Sequence, residues 1–195
     1  MGFNSSLRAP SRASEPNLSR RSFLTRAGIA AAGALLIPSF DAYAYSLSRE
    51  RTLYLYNKHT GEDMTLVCCP ERNYDRALLR QFSHFLRDHH ADESHPMDPG
   101  LIDILYAISA MTRSSGTFEI ISGYRAPETN RMLRRHSHGV AEHSLHMEGK
   151  AIDLRMSDVS TRTIRKTALA LQYGGVGYYR RADFVHLDTG RIRSW

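Results

Sequence analysis

Long-range disulfides cannot hold this protein together. Its 195 residues include two cysteines, and these are neighbours, Cys68 and Cys69. On a strand their side chains would point to opposite faces, so no cross-linked framework follows even in an oxidising compartment, and at least one is expected to be a buried apolar residue. Three sequence patterns are also missing: the H-E-x-x-H zinc helix, the phosphate-cradling G-x-x-x-x-G-K-[ST] loop and the G-x-S-x-G elbow of a nucleophilic serine. The apolar stretch from Ala27 to Phe40 falls short of the ~20 residues needed to span a bilayer. An excess of one charge is nearly absent too. The whole chain carries a net +6, and without residues 1–44 it has 21 basic against 18 acidic residues, a net +3. Such a balance suits contact with an anionic polymer, but without a basic stripe it excludes nucleic acid as the partner.

What is present begins with an address. Arg20 and Arg21 precede Phe23-Leu24 and an Ala/Gly-rich run ended by Pro38, and "AYA" (Ala42 to Ala44) offers small residues at the −3 and −1 positions of a cleavage site. The segment resembles the twin-arginine export signal of bacteria, with Thr25 where a lysine is common. Residues 1–44 are therefore expected to be a signal cleaved before Tyr45, the twin-arginine machinery to be a partner, and the destination to be the periplasm, with no stable membrane anchor left. Residues 45–195 are long enough for one domain with a sizeable core.

Within that domain, "RTLYLYN" and "DMTLVCC" alternate around "KHTGE" as a hairpin. From Asp75 to His90, apolar residues recur at helical steps, and a second helix opens at Asp98-Pro99. "TFEIIS" reads as a strand, the helix after Pro127 as polar, "AIDLR" as a strand, and Ser160 to Gln172 as a fourth helix. "GVGYY" and "DFVHLD" complete a sheet drawn mostly from the second half. The fold class is α+β, with an antiparallel or mixed sheet and helices packed on one side.

The chemistry concentrates in two stretches. "SLHMEGKAID" sets His146 and Asp153 seven residues apart, and Gly149 with the β-type "AIDL" argues for a turn feeding a strand rather than a helix. Ala151 and Asp153 then share a face, and the small alanine leaves room beside the carboxylate. His186 lies between Val185 and Leu187 in an apolar strand, where a hydrogen-bonded core histidine is the common outcome. Taken with the other two, however, it completes a His, Asp, His set, the three protein ligands and one open position that a catalytic zinc needs. At this level both readings stand. His59, His84, His89, His90, His95, His136 and His138 fall on turns or polar faces, although "HHADESH" could pick up metal adventitiously. Arg131, Arg134 and Arg135 form a basic helical face, either merely solvated or docking an anionic partner.

Three segments, "SGYRAPETN", "SLHMEGKAID" and "FVHLDTG", resemble in wording, order and spacing the LAS-type zinc peptidases, which group lysostaphin, D-Ala-D-Ala peptidases, a murein endopeptidase and hedgehog. The likeness is strongest to the exported murein endopeptidase K family and extends over "GGVGYY". It implies a zinc cleft on the sheet, with His146, Asp153 and His186 as ligands of Zn(2+), and cleavage of peptidoglycan cross-link peptides, including diaminopimelate-diaminopimelate bonds. By position it makes Arg125 the arginine that meets the scissile carbonyl, and Ser122, Tyr124 and Ser144 candidates for substrate contact. For the general base it offers Asp183, a shorter carboxylate where D-Ala-D-Ala relatives carry glutamate, and then His143; the histidine that lysostaphin-type relatives use is replaced by Phe184. The rival is a non-catalytic zinc-containing module that binds peptidoglycan without cutting it.

Overall fold

The computed structural model describes residues 50–68, 74–136 and 139–195; the expected export signal, its cleavage point before Tyr45, Cys69 and His138 lie outside the described residues. Strands β1 (Arg51–Asn57) and β2 (Asp63–Cys68) pair antiparallel, and Leu53, Leu55, Leu66 and Cys68 alternate inward to near-complete burial. The hairpin forms one edge of a seven-stranded sheet with β3 (Thr117–Ser122), β4 (Ala151–Met156), β5 (Gly175–Tyr179), β6 (Phe184–Asp188) and β7 (Arg193–Ser194). Its order is β2-β1-β3-β4-β6-β5-β7. The β1–β3 and β5–β7 pairings are parallel and the other four antiparallel, so the sheet is mixed and the fold α+β.

Among the described residues four α-helices accompany it: α1 (Arg76–Phe85), α2 (Gly100–Thr112), α3 (Pro127–His136) and α4 (Thr161–Leu171). Helix α2 is buried on all sides from Gly100 to Ala110, as expected of a helix apolar all round its circumference. It packs on α4 and β1, while α4 presents Ile164, Ala168 and Leu171 at steps of four and three and lies against β4, β5 and β6. Ser160 caps α4 by accepting from Thr163 N, and Asp75 caps α1 by accepting from Leu78 N.

The structure departs from the sequence reading at the end of α1 and at β7. Helix α1 ends at Phe85 rather than His90, because the Asp88 carboxylate captures the backbone N–H groups of His90 (2.8 Å), Ala91 (3.3 Å) and Ala126 (2.7 Å). The turn expected before β4 is present: a single 3-10 turn, Leu145–Glu148, carries His146, and Gly149 closes it at φ +66°, a conformation that costs glycine little. Strand β7 was not foreseen; Trp195 continues it by exchanging backbone hydrogen bonds with Val176 and Tyr178.

Strand parity gives the sheet two different faces. Phe118 and Ile120, Ile152 and Leu154, Val176, and Val185 and Leu187 join the hydrophobic core. The alternate residues of the same strands, Asp153, His186, Asp188 and Tyr179 among them, point to the other face.

Asp88 pins the loop before the site, and its burial would raise its pKa. Hydrogen bonds from Thr129 and from Ala126, His90 and Ala91 outweigh that and hold it below the usual carboxylate value. A lowered folded-state pKa contributes stability above the unfolded value of ~3.9 and loses it as pH falls through that range. Asp88→Asn is expected to lower stability at neutral pH by about 1–3 kcal/mol and to flatten the further loss between about pH 5 and pH 3. Urea unfolding with a chelator present, so that metal loss does not contribute, measures both effects.

Candidate metal centre and its cleft

The centre begins with strand register. In the β4–β6 pairing Ile152 faces Leu187 and Leu154 faces Val185, all four in the core, which leaves Asp153 opposite His186 on the other face. A one-residue slip would turn the shifted strand's two core side chains outward, so the apolar pattern fixes the polar pair. His146 arrives from the 3-10 turn, and its own backbone O accepts from Arg125 N at 3.1 Å.

The three side chains converge. His186 Nδ1 lies 2.9 Å from Asp153 Oδ1, His146 Nε2 lies 3.3 Å from the same oxygen, and the two ring nitrogens are 3.1 Å apart. All three residues are buried, with 3–7% of their surface exposed. Donors placed about 2.0–2.1 Å from a tetrahedral zinc stand about 3.3–3.4 Å from one another, close to this triangle. Among the described residues this is the one group of three or more His, Cys, Asp or Glu with ligand atoms near enough to share an ion.

The outer hydrogen bonds fix what the inner atoms offer. His146 Nδ1 is 2.7 Å from Gly123 O, a group that only accepts, so the proton sits on Nδ1 and Nε2 turns a lone pair inward. His186 Nε2 donates to Asp188 Oδ2 at 3.0 Å, which leaves Nδ1 to turn its lone pair inward. With Asp153 ionised, three acceptor atoms face one point with no proton of their own to share, and such an arrangement calls for a cation. Burial would raise Asp153, but His146 and His186 override it and hold its carboxyl well below the usual range. Burial likewise opposes charge on His186, yet its hydrogen bonds to Asp153 and Asp188 push its pKa up to about 9, the response of a ring that takes a proton where no metal is bound.

Asp188, to which the sequence reading gave no role, is fully buried and saturated. It accepts from Gly175 N, Gly190 N and both terminal nitrogens of Arg193 besides His186. These donors overcome the effect of burial and hold its pKa at about 2. Its signal in the sequence was its spacing, two residues after His186 on the same strand face. Gly123 is the other supporting position. A Cβ there would stand 2.4 Å from Leu86 O, so only glycine lets the chain pass close enough to present its carbonyl to His146.

A cleft of about 370 Å³ opens over the centre, lined by Arg125, His143, Ser144, Tyr179, Phe184 and Trp195 together with the triad. The Arg125 guanidinium is 3.9 Å from Asp153 Oδ2 and bonds Ser122 Oγ (3.3 Å) and Asn130 Oδ1 (3.4 Å). Burial lowers its pKa, and Asp153 opposes that shift. His143 is exposed on the cleft wall, and Ser144 caps the turn by accepting from His146 N. Trp195, the single tryptophan, was not singled out by the sequence reading; its ring centroid is 5.2 Å from that of His186, and its Nε1 donates to the Tyr179 hydroxyl.

The remaining candidates lie elsewhere. Asp183 does not line this cleft: its carboxylate accepts from the Thr161 hydroxyl at 2.8 Å, lies 3.8 Å from Arg155 and borders a separate surface depression. Ser122 and Tyr124 line a neighbouring cavity, and the Tyr124 hydroxyl donates to Glu93. On the α3 face, Arg131 pairs with Glu128 and Arg134 with Glu142, both at the surface.

Comparison with known proteins places the chain in a family. A family model described as "Peptidoglycan L,D-endopeptidase MepK" (Peptidase_M15_2) matches residues 45–195. The peptidoglycan L,D-endopeptidase MepK of Escherichia coli (strain K12) is 40% identical over 176 residues, 90% of this chain and 96% of the relative. The probable peptidoglycan L,D-endopeptidase MepK of Haemophilus influenzae is 36% identical over 177 residues, 90% of this chain and 95% of the relative.

Replacing Asp188 tests the outer hydrogen bonds separately from the inner donors. Asp188→Asn removes the charge that orients His186 and is expected to weaken zinc binding by about 10–100-fold. Competition against a chromophoric chelator reads the affinity, and thermal unfolding of both metal-free proteins separates that loss from general destabilisation.

Proposed function

This chain belongs to the peptidoglycan L,D-endopeptidase MepK family, and from that premise we propose that it is an exported zinc metallopeptidase that hydrolyses amide bonds in peptidoglycan cross-link peptides. The observation that carries the reading is the triangle of His146, Asp153 and His186 ligand atoms, each imidazole locked from behind so that its lone pair faces the common point. Two imidazoles and one carboxylate suit zinc by ligand type, and three protein ligands leave a position open. The L,D designation of the relatives favours bonds such as the one between two diaminopimelate residues.

When bound, the metal supplies a Lewis acid that polarises the scissile carbonyl and makes water acidic enough to attack near neutral pH. The chain's own residues do the rest. Arg125, held by Ser122, Asn130 and Asp153, presents a fixed guanidinium to the carbonyl oxygen as negative charge develops there. Of the two candidate bases, His143 has access to the cleft, and its imidazole nitrogen takes up the proton as water adds to the carbonyl. Tyr179, Phe184 and Trp195 form an aromatic wall that limits water around the reacting bond.

Export follows the same premise. Residues 1–44 act as a cleavable twin-arginine signal, and the family match starts at residue 45, where the expected mature chain begins. No helix among the described residues is long and apolar enough to cross a membrane. On this reading the mature protein works in the periplasm. Replacing Arg20 and Arg21 by lysines is expected to leave uncleaved precursor in the cytoplasmic fraction, read by immunoblot after fractionation.

Cross-linked muropeptides test the activity directly. Metal-loaded protein is expected to yield new products that disappear with a chelator and in His146→Ala, whereas tight binding with no products over hours would favour the non-catalytic binding module. Arg125→Met is expected to lower kcat by about 10²–10³-fold. His143→Gln is expected to lower it by about 10²-fold or more, with metal content unchanged, and Asp183→Asn to leave it within about twofold.

A further inference from the structure

A second cavity, also of about 370 Å³, lies beside the metal cleft and shares Arg125 and Asp153 with it. Its wall includes His59, His89, His90 and Ser122. An endopeptidase cuts inside a peptide, so its substrate must continue on both sides of the scissile bond. With Arg125 between them, the two cavities make one groove through the reacting position.

The chemistry of the second half is unusual. Its charged groups are already committed: Arg87 is bound to Glu62 and Asp92, and Asp88 is saturated by backbone donors and Thr129. The histidines are not. His59 and His89 stack at 3.9 Å with their planes 3° apart, and His90 lies 4.1 Å from His89. Among the described residues no ring nitrogen of the three has a hydrogen-bond partner within the protein. Each imidazole, neutral or charged, offers at least one N–H donor. The His59 and His89 rings lie parallel, and the three histidines do not meet the spacing needed to share a metal ion. A row of donors flanked by a guanidinium fits an anion with several acceptor oxygens.

We propose that this histidine-lined cavity is the second half of the substrate groove and binds a free carboxylate of the cross-link peptide on the far side of the scissile bond. The inference rests on the peptidase reading, since it identifies the ligand as a carboxylate-bearing wall peptide. The His59, His89 and His90 side chains hold the carboxylate through N–H donors, and Arg125 serves both halves. They are specificity residues and take no part in bond breaking.

The test compares the metal-loaded protein with the triple variant His59→Gln, His89→Gln, His90→Gln, on cross-linked muropeptides with free carboxylates and on the same peptides amidated. The three rings are exposed, so the variant is expected to keep the wild-type melting temperature. Wild type is expected to show a KM about tenfold lower for the free-carboxylate substrate, and the variant to lose that preference with kcat within about twofold. A preference of unchanged size in the variant would overturn the proposal. Ring resonances of the three histidines, followed by NMR in His146→Ala, give a readout that needs no cleavage. They are expected to shift with the free-carboxylate muropeptide and to stay in place with the amidated one. If the wild type cleaves nothing while these resonances still shift selectively, the activity falls and the binding site stands. Resonances that ignore both peptides, or that respond only to a second equivalent of zinc, would overturn the site while leaving the activity intact.

Discussion

The function depends on one cross-strand juxtaposition. Asp153 and His186 face each other because β4 and β6 are locked in register by Ile152, Leu154, Val185 and Leu187 on the opposite side of the sheet. Burying those four side chains is worth roughly 1.5–3 kcal/mol each, more than the cost of crowding a carboxylate and imidazoles together, so the core can impose a polar arrangement that would not assemble alone. The strain of three mutually facing acceptors is thereby stored in the folded state and relieved by a cation.

From that pair, order spreads through hydrogen bonds to segments distant in sequence. Gly123 O orients His146, and its own close approach to Leu86 ties the site to the end of α1. Tyr124 N bonds Leu86 O, Arg125 N bonds His146 O, and Ala126 N bonds Asp88, so three consecutive backbone amides around Arg125 are pinned alternately to the segment after α1 and to the 3-10 turn. On the other side, Asp188 gathers Gly175, Gly190 and Arg193 around His186. Each donor atom is held by backbone groups and buried charges rather than by mobile surface chains, as a preorganised centre requires.

Much of this was legible in the sequence, for reasons that differ by element. Helices and strands declared themselves through period, and the donors His146, Asp153 and His186 through spacing around a strand-like segment and through their resemblance to a family pattern. The end of α1 was hidden because a buried carboxylate, Asp88, outcompetes helical hydrogen bonding, and apolar period does not register that. Asp188 was hidden because an aspartate in an apolar strand looks the same in sequence whether it orients a histidine or caps a turn. Trp195 and β7 were hidden because two residues of strand leave no periodicity to read. His95, placed on the surface by its polar neighbours, is partly covered because it stacks on Tyr124 at 4.8 Å.

The proton acceptor shows how strand parity limits a positional analogy. Asp183 stands three residues before His186, and an odd step along a strand reverses the side a residue faces. It is also the residue at which the chain turns, with φ at +52° and its carboxylate engaged by Thr161. Phe184, an even step from His186, does face the cleft, but its ring stacks on Tyr179 at 4.5 Å and carries no group that could take a proton. Of the two positions from which relatives draw a base, one carries a carboxylate turned away from the cleft and the other an aromatic ring with no proton acceptor. The opposite wall, from Gly139 to Leu145, is where His143 stands. That segment continues into His146, so one stretch of backbone sets both the triad imidazole and the histidine on the cleft wall.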